Sequence, residues 1–116
     1  MRRVRIAVLF CLAAAGCNTS PLSNDVSGPV ASCESFNYAS CQRLSECTTD
    51  VNVDNCAQQL NAAINCQQAS CTGGTFSQEG AQMCLDAYLN QDCADSINSV
   101  PPAICTAVPS VICIVQ

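Results

Sequence analysis

The chain has 116 residues, a formal net charge of −5, twelve cysteines and no histidine. Its four basic residues are all arginines, and three of them, Arg2, Arg3 and Arg5, stand ahead of a short apolar run, so beyond that run Arg43 alone faces nine carboxylates, a net −8. Such a surface repels nucleic acid and anionic headgroups, which excludes nucleic-acid binding and a polybasic membrane patch but leaves cationic partners and divalent ions open. The plainest use of the acidity is to keep an exported domain soluble.

The N-terminus is the first element. Ile6 to Ala15 is an uncharged, mostly aliphatic stretch. As a helix it covers about 15 Å, half of the ~30 Å of hydrocarbon that a permanent span must cross, so it predicts a processed leader, residues 1–16. Ala13-Ala14-Ala15 fits an ordinary signal-peptidase cut before Gly16, whereas Ala14-Ala15-Gly16-Cys17 resembles the bacterial lipobox, with alanine at the position where leucine is commonest. Cysteine parity separates the two readings. Cys11 leaves with the leader; an ordinary cut then strands an odd thiol, while lipidation of Cys17 leaves ten cysteines to pair. The resemblance implies acylation at Cys17, and two or more acyl chains make a durable anchor. Asn18 follows, where the inner-membrane retention signal carries aspartate, so the expected location is the outer membrane, with its periplasmic or surface face open.

Residues 18–32 carry Pro21, Gly28 and Pro29 among Ser, Thr, Asn and Asp, without periodicity. They predict, with Cys17, a lipidated flexible tether over 17–32 with an end-to-end distance of roughly 20 Å. The cysteine-rich domain is expected over 33–116. It holds Cys33, Cys41, Cys47, Cys56, Cys66, Cys71, Cys84, Cys93, Cys105 and Cys113, and its aromatics are Phe36, Tyr38, Phe76 and Tyr88. That cysteine density marks a disulfide scaffold, in which bridges compensate for a thin core.

The apolar spacing within it is helical. Cys33, Phe36, Ser40, Leu44 and Cys47 share one face, with Cys41 at its edge. A second helix runs through Cys56, Leu60, Ala63 and Ile64, entered through 50–55, whose Asn and Asp side chains suit a helix start, and stops near Cys66 to Cys71. Thr75-Phe76-Ser77-Gln78 has the form of a capping box for a third, through Ala81, Cys84, Leu85 and Tyr88, which ends around Gln91 to Cys93. Pro101 and Pro102 suit the start of a short fourth helix through Cys105, ended by Pro109, and the apolar Val111 to Val115 run is read as a tail packed on the helices. The expected fold class is therefore all-α, a small disulfide-rich bundle of three to four short helices. Ten cysteines allow about 945 pairings. With the first two helices antiparallel, Cys47 and Cys56 meet near their loop, Cys66 returns toward Cys33 or Cys41, and Cys84 or Cys93 comes opposite Cys105.

Several motifs, Cys41-Gln42-Arg43-Leu44-Ser45-Glu46-Cys47, Cys66, Cys84-Leu85-Asp86-Ala87-Tyr88 leading to Cys93, and Pro102-Ala103-Ile104-Cys105, are similar to those of the cysteine-rich lipoproteins of myxobacteria and their relatives. The resemblance spans roughly residues 33–108 and implies an envelope location and a helical fold, with Cys71 and Cys113 as an added pair. It implies no biochemical activity.

Chemistry-bearing patterns are few. The closest cysteines are Cys66 and Cys71, with no C-x-x-C and no histidine to complete a zinc or redox site, so neither metal nor cofactor is implied. Without histidine or lysine the usual bases of nucleophilic catalysis are missing, and Glu34, Glu46 and Glu79 read as solvated helix faces; no enzyme is expected. Asp50, Asn52 and Asp54 occupy positions one, three and five of an EF-hand-like loop, but Asn55 replaces the turn glycine and Asn61 the bidentate glutamate. The functional expectation is an envelope-anchored structural or interaction lipoprotein. The alternative is an outward-facing binding or inhibitory protein that presents a loop such as Ser70 to Ser77 to an envelope or extracellular protein; a weak calcium site or a lipid carrier comes third.

Overall fold

In a computed structural model the described residues are 24–115. The leader, Cys17 and the tether as far as Ser23 lie outside them. Helix α1 (Pro29–Cys47) is the hub: α2 (Val53–Ile64), a 3-10 turn (Cys66–Gln68), α3 (Gln78–Leu89) and α4 (Cys93–Ile97) all lie against it. A second 3-10 segment, Ala103–Thr106, packs on α3. Strands β1 (Gly74–Phe76) and β2 (Cys113–Val115) pair antiparallel, with Thr75 opposite Ile114. The molecule is thus mostly helical and disulfide-laced but not all-α: the tail packs on α3 through Val111 and Ile112, as expected, and beyond that pairs in a two-stranded sheet with the chain just before α3.

The folded part also begins earlier than expected. Pro29 occupies the first turn of α1, where its fixed φ and missing N–H cost nothing. Val26 is only 4 % exposed and belongs to the core. The lead-in is tied by the Ser35 hydroxyl, which donates to the Asp25 carbonyl at 2.7 Å. Hydrogen bonds from the Ser27 side chain and backbone N–H hold the Asp25 carboxyl below its ordinary range. The same Pro and Gly that mark a tether by composition therefore mark a helix start.

Burial on α1 does not follow the predicted stripe. The buried positions are Ser32, Ser35, Asn37, Ala39 and Cys41, because neighbours approach the helix from several sides and only small side chains fit between. The apolar core is correspondingly small: Val26, Ala39, Ala81 and Leu85, ringed by half-buried Phe36, Phe76, Tyr88, Leu89 and Ile112. Phe36 and Tyr88 stack with ring centroids 6.1 Å apart. Polar struts supplement it. Asn37 Nδ2 donates to Asn61 Oδ1 at 2.8 Å, linking α1 to α2. Arg43 donates through Nε to the Gln91 carbonyl at 2.6 Å and pairs with Glu46 at 2.9 Å. Gln91 in turn donates to the Val100 carbonyl.

Five disulfides join Cys33 to Cys66, Cys41 to Cys56, Cys47 to Cys93, Cys71 to Cys113 and Cys84 to Cys105, with Cα separations of 5.0 to 5.9 Å. Cys66 takes Cys33 rather than Cys41, and Cys84 rather than Cys93 takes Cys105. Cys47 and Cys56, expected to meet, do not pair: Cys56 takes Cys41 and Cys47 takes Cys93. At about 100° per residue Cys41 and Cys47 point some 120° apart around α1, so Cys41 faces α2 while Cys47 faces α4.

The helix ends follow local chemistry. Asn52 Oδ1 accepts from Asn55 N at 2.9 Å and caps α2, and Asn65, left-handed at φ 64°, closes it. Ser77, not Thr75, caps α3, accepting from Gly80 N at 3.0 Å. Thr75 and Phe76 belong to β1. Gly80 is buried where the tail crosses α3, so close to the Val111 carbonyl that a Cβ there would overlap its oxygen. Gly80→Ala is therefore expected to lower the unfolding free energy by about 1–3 kcal/mol through displacement of the tail. Gly28→Ala, with nothing within 4 Å of the added methyl, should cost no more than the loss of a favoured N-cap residue, below about 1 kcal/mol. Urea unfolding of the two variants with disulfides intact checks the contrast.

Candidate functional site

The residues singled out from the sequence are dispersed by the fold. Cys17 lies outside the described residues. All ten cysteines of the domain are bridged, and no free cysteine stands among the described residues, so none is a thiol nucleophile. Glu34 accepts from Gln67 Nε2 at 2.9 Å and Glu46 pairs with Arg43. Twelve helical residues, about 18 Å of rise, separate these two glutamates, too far for a carboxylate pair on one substrate atom. Glu79 sits in the first turn of α3. In the Asp50 to Asn55 loop Asn52 serves as the cap, Asp50 adopts φ 65°, and among the described residues no group of three or more His, Cys, Asp or Glu side chains comes together to hold a metal ion.

The segment Ser70 to Ser77 is not a free loop. Cys71 is bridged to Cys113, Gly74 to Phe76 form β1, and Ser77 caps α3. Its first residues instead form one side of an apolar cleft of about 270 Å³, whose lining includes Ser32, Phe36, Ile64, Tyr88 and Ile112. The cleft is thus walled by α1, the end of α2, α3 and the tail; the Cys33–Cys66 bridge ties α1 to the turn after α2, and Cys71–Cys113 ties the next segment to the tail. Burial raises the Tyr88 phenol above its ordinary value. A second cleft, of about 520 Å³, opens where α1, α2 and α4 meet. Among the described residues two buried side-chain hydroxyls lack a hydrogen-bond partner, those of Ser32 and Ser96, and they belong one to each cleft. Unpaired buried hydroxyls are uncommon in a settled fold. Small concave sites with an apolar lining and one or two polar groups are the usual form of a ligand or side-chain pocket.

Sequence reasoning passed over both clefts. The lining of the apolar cleft comes from five separate stretches of chain, with only the Phe36 and Tyr88 aromatics as a signal, and that of the second from three, of which the Asn- and Asp-rich 50–55 segment reads as a helix start. Comparison with protein-family models, with curated proteins and with solved structures found no match to this chain.

The Tyr88 environment yields a pH test. A raised phenol value in the folded state means that the native protein keeps this proton while the unfolded chain has begun to lose it. Stability is then unaffected by this group below about pH 10 and falls as pH rises through the ordinary phenol range toward the folded value. Absorbance at 295 nm should show a late-titrating phenol that disappears in Tyr88→Phe, and Tyr88→Phe should lose the corresponding alkaline decline in the urea midpoint.

Proposed function

We propose that this chain is an exported, lipid-anchored interaction module of the cell envelope, held at the outer membrane through Cys17 and carrying no catalytic step. The observation that carries this reading is the complete pairing of the ten domain cysteines into five bridges. Such a pattern belongs to an oxidising compartment, in agreement with an arginine-led leader and a lipobox-like Ala-Ala-Gly-Cys. The resemblance of the cysteine motifs to myxobacterial lipoproteins points the same way. The role is then to display a rigid, acidic surface to another envelope or extracellular protein.

The apolar cleft favours one more specific form of this reading, a binding or inhibitory protein facing outward. Phe36, Tyr88 and Ile112 offer a concave seat for an apolar side chain, with the Ser32 hydroxyl as a polar point within it.

Intact mass of the protein from its native membrane tests the anchor. The expected species begins at Cys17, carries added acyl mass and gains no mass on alkylation before reduction. A species beginning at Gly16, or one with alkylatable thiols, contradicts the proposal. Protease added to intact cells then separates the two forms: cleavage favours the outward-facing protein, and protection until the outer membrane is opened favours a periplasm-facing module.

A further inference from the structure

The cleft at the junction of α1, α2 and α4 carries more hydrogen-bonding side chains than the fold uses. Asp50, Asn52, Asn55, Gln59, Ser96 and Ser99 all contribute to it. Of their side chains only that of Asn52 has a hydrogen-bond partner among the described residues, the Asn55 N–H at the start of α2. Ser96 is 8 % exposed, and its hydroxyl is buried without a partner among the described residues. Burying a hydroxyl unpaired is unfavourable, and a ligand that supplies the missing bond removes that cost.

Charge narrows the ligand. Arg43 is the only Lys or Arg among residues 24–115, and Glu46 and the Gln91 carbonyl already engage it. Nothing in the cleft neutralises an anion, while the Asp50 carboxylate favours a cation. A hard metal ion is poorly matched, because it needs about six oxygen ligands and several carboxylates, and Asp50 is the one carboxylate lining this cleft. Apart from Ser40, the rest of the wall is apolar: Leu44, Val51, Leu60, Ala63 and the Cys41–Cys56 bridge. Amides, hydroxyls and one carboxylate beside a C–H surface match a molecule that presents several hydroxyls on one side and C–H groups on the other. The Cys41–Cys56 and Cys47–Cys93 bridges fix the three helices relative to each other, so little ordering is required on binding.

We propose that this cleft binds a short saccharide, neutral or amine-bearing, with Asp50 selecting against acidic sugars and Ser96, Asn55 and Gln59 bonding the hydroxyls. The site is separate from the apolar cleft and does not depend on the anchor.

The test is a titration of the full, oxidised, isotope-labelled protein in detergent, followed by amide resonances. The β-1,4-linked glucosamine disaccharide should give saturable shifts at Asp50, Asn55, Gln59 and Ser96 at millimolar concentration. Cellobiose should shift the same residues more weakly, and a digalacturonate should bind about tenfold more weakly than the glucosamine disaccharide. Asp50→Asn should bring the three sugars to within about twofold of one another. Ser96→Ala, which removes an unpaired hydroxyl, should keep or raise the unfolding midpoint yet weaken glucosamine-disaccharide binding about threefold. Absence of saturable shifts with either neutral or amine-bearing sugar, equal binding of the digalacturonate, or tighter binding of trilysine at the same residues would overturn the assignment, the last in favour of a basic peptide.

Discussion

The structure depends on the way cysteines fan around one helix. Cys33, Cys41 and Cys47 stand on α1 at angles that span about 120° around its axis, and each reaches a different neighbour: the turn after α2, the start of α2, and α4. A single helix is thereby cross-linked to most of what surrounds it. The remaining bridges extend the same logic outward, with Cys84–Cys105 clamping the second 3-10 segment to α3 and Cys71–Cys113 closing the small sheet. Helices that would otherwise need wide apolar faces to stay together are held by covalent bonds of roughly 2–4 kcal/mol each in restricted unfolded-state entropy.

This frees the interior from its usual composition. Buried positions on α1 are serine, asparagine, alanine and cysteine, and the apolar cluster proper has Leu85 as its one large side chain. Larger groups such as Phe36, Tyr88 and Ile112 sit half-buried at the edge, where they line a cleft instead of filling a core. A domain stabilised mainly by packing would close such gaps, because unfilled space forfeits contacts that it needs. A cross-linked one keeps them open, and both clefts lie beside the bridges. The acidity has a parallel explanation, since the sole arginine of the domain is used as an internal strut and leaves the carboxylates to define the surface.

Much of the helical frame was legible because it rests on local signals. The Asn and Asp side chains at 50–55 announce the start of α2, and Ser77 ahead of an apolar periodic run announces α3, although the capping-box pattern pointed two residues too early, at Thr75. Thr75 was drawn into β1 by a partner nearly forty residues away, and three-residue strands carry no alternation that could reveal such a pairing. Helix α4, Cys93–Ile97, is likewise shorter than one and a half turns and has no readable periodicity. The stripe on α1 was misread because a hub helix is buried from several sides. Pairing of Cys41 rather than Cys47 with Cys56 follows from angular position, which becomes usable only once the neighbours of α1 are known. The apolar cleft is non-local by construction, and the second, though lined largely by 50–63, closes only when α1 and α4 are brought against that stretch.

The central claim, that disulfides and not the apolar core hold this fold, is tested most directly by thermal unfolding of the oxidised chain beside the same chain fully reduced and alkylated. Small domains have a net stability of about 5–15 kcal/mol, and loss of five bridges at ~2–4 kcal/mol each is as large as that margin. Far-UV circular dichroism is expected to show a cooperative transition for the oxidised protein, and little helix with no cooperative transition for the reduced one at 25 °C. A reduced chain that keeps its helix signal and melts cooperatively within a few degrees of the oxidised form would contradict the account.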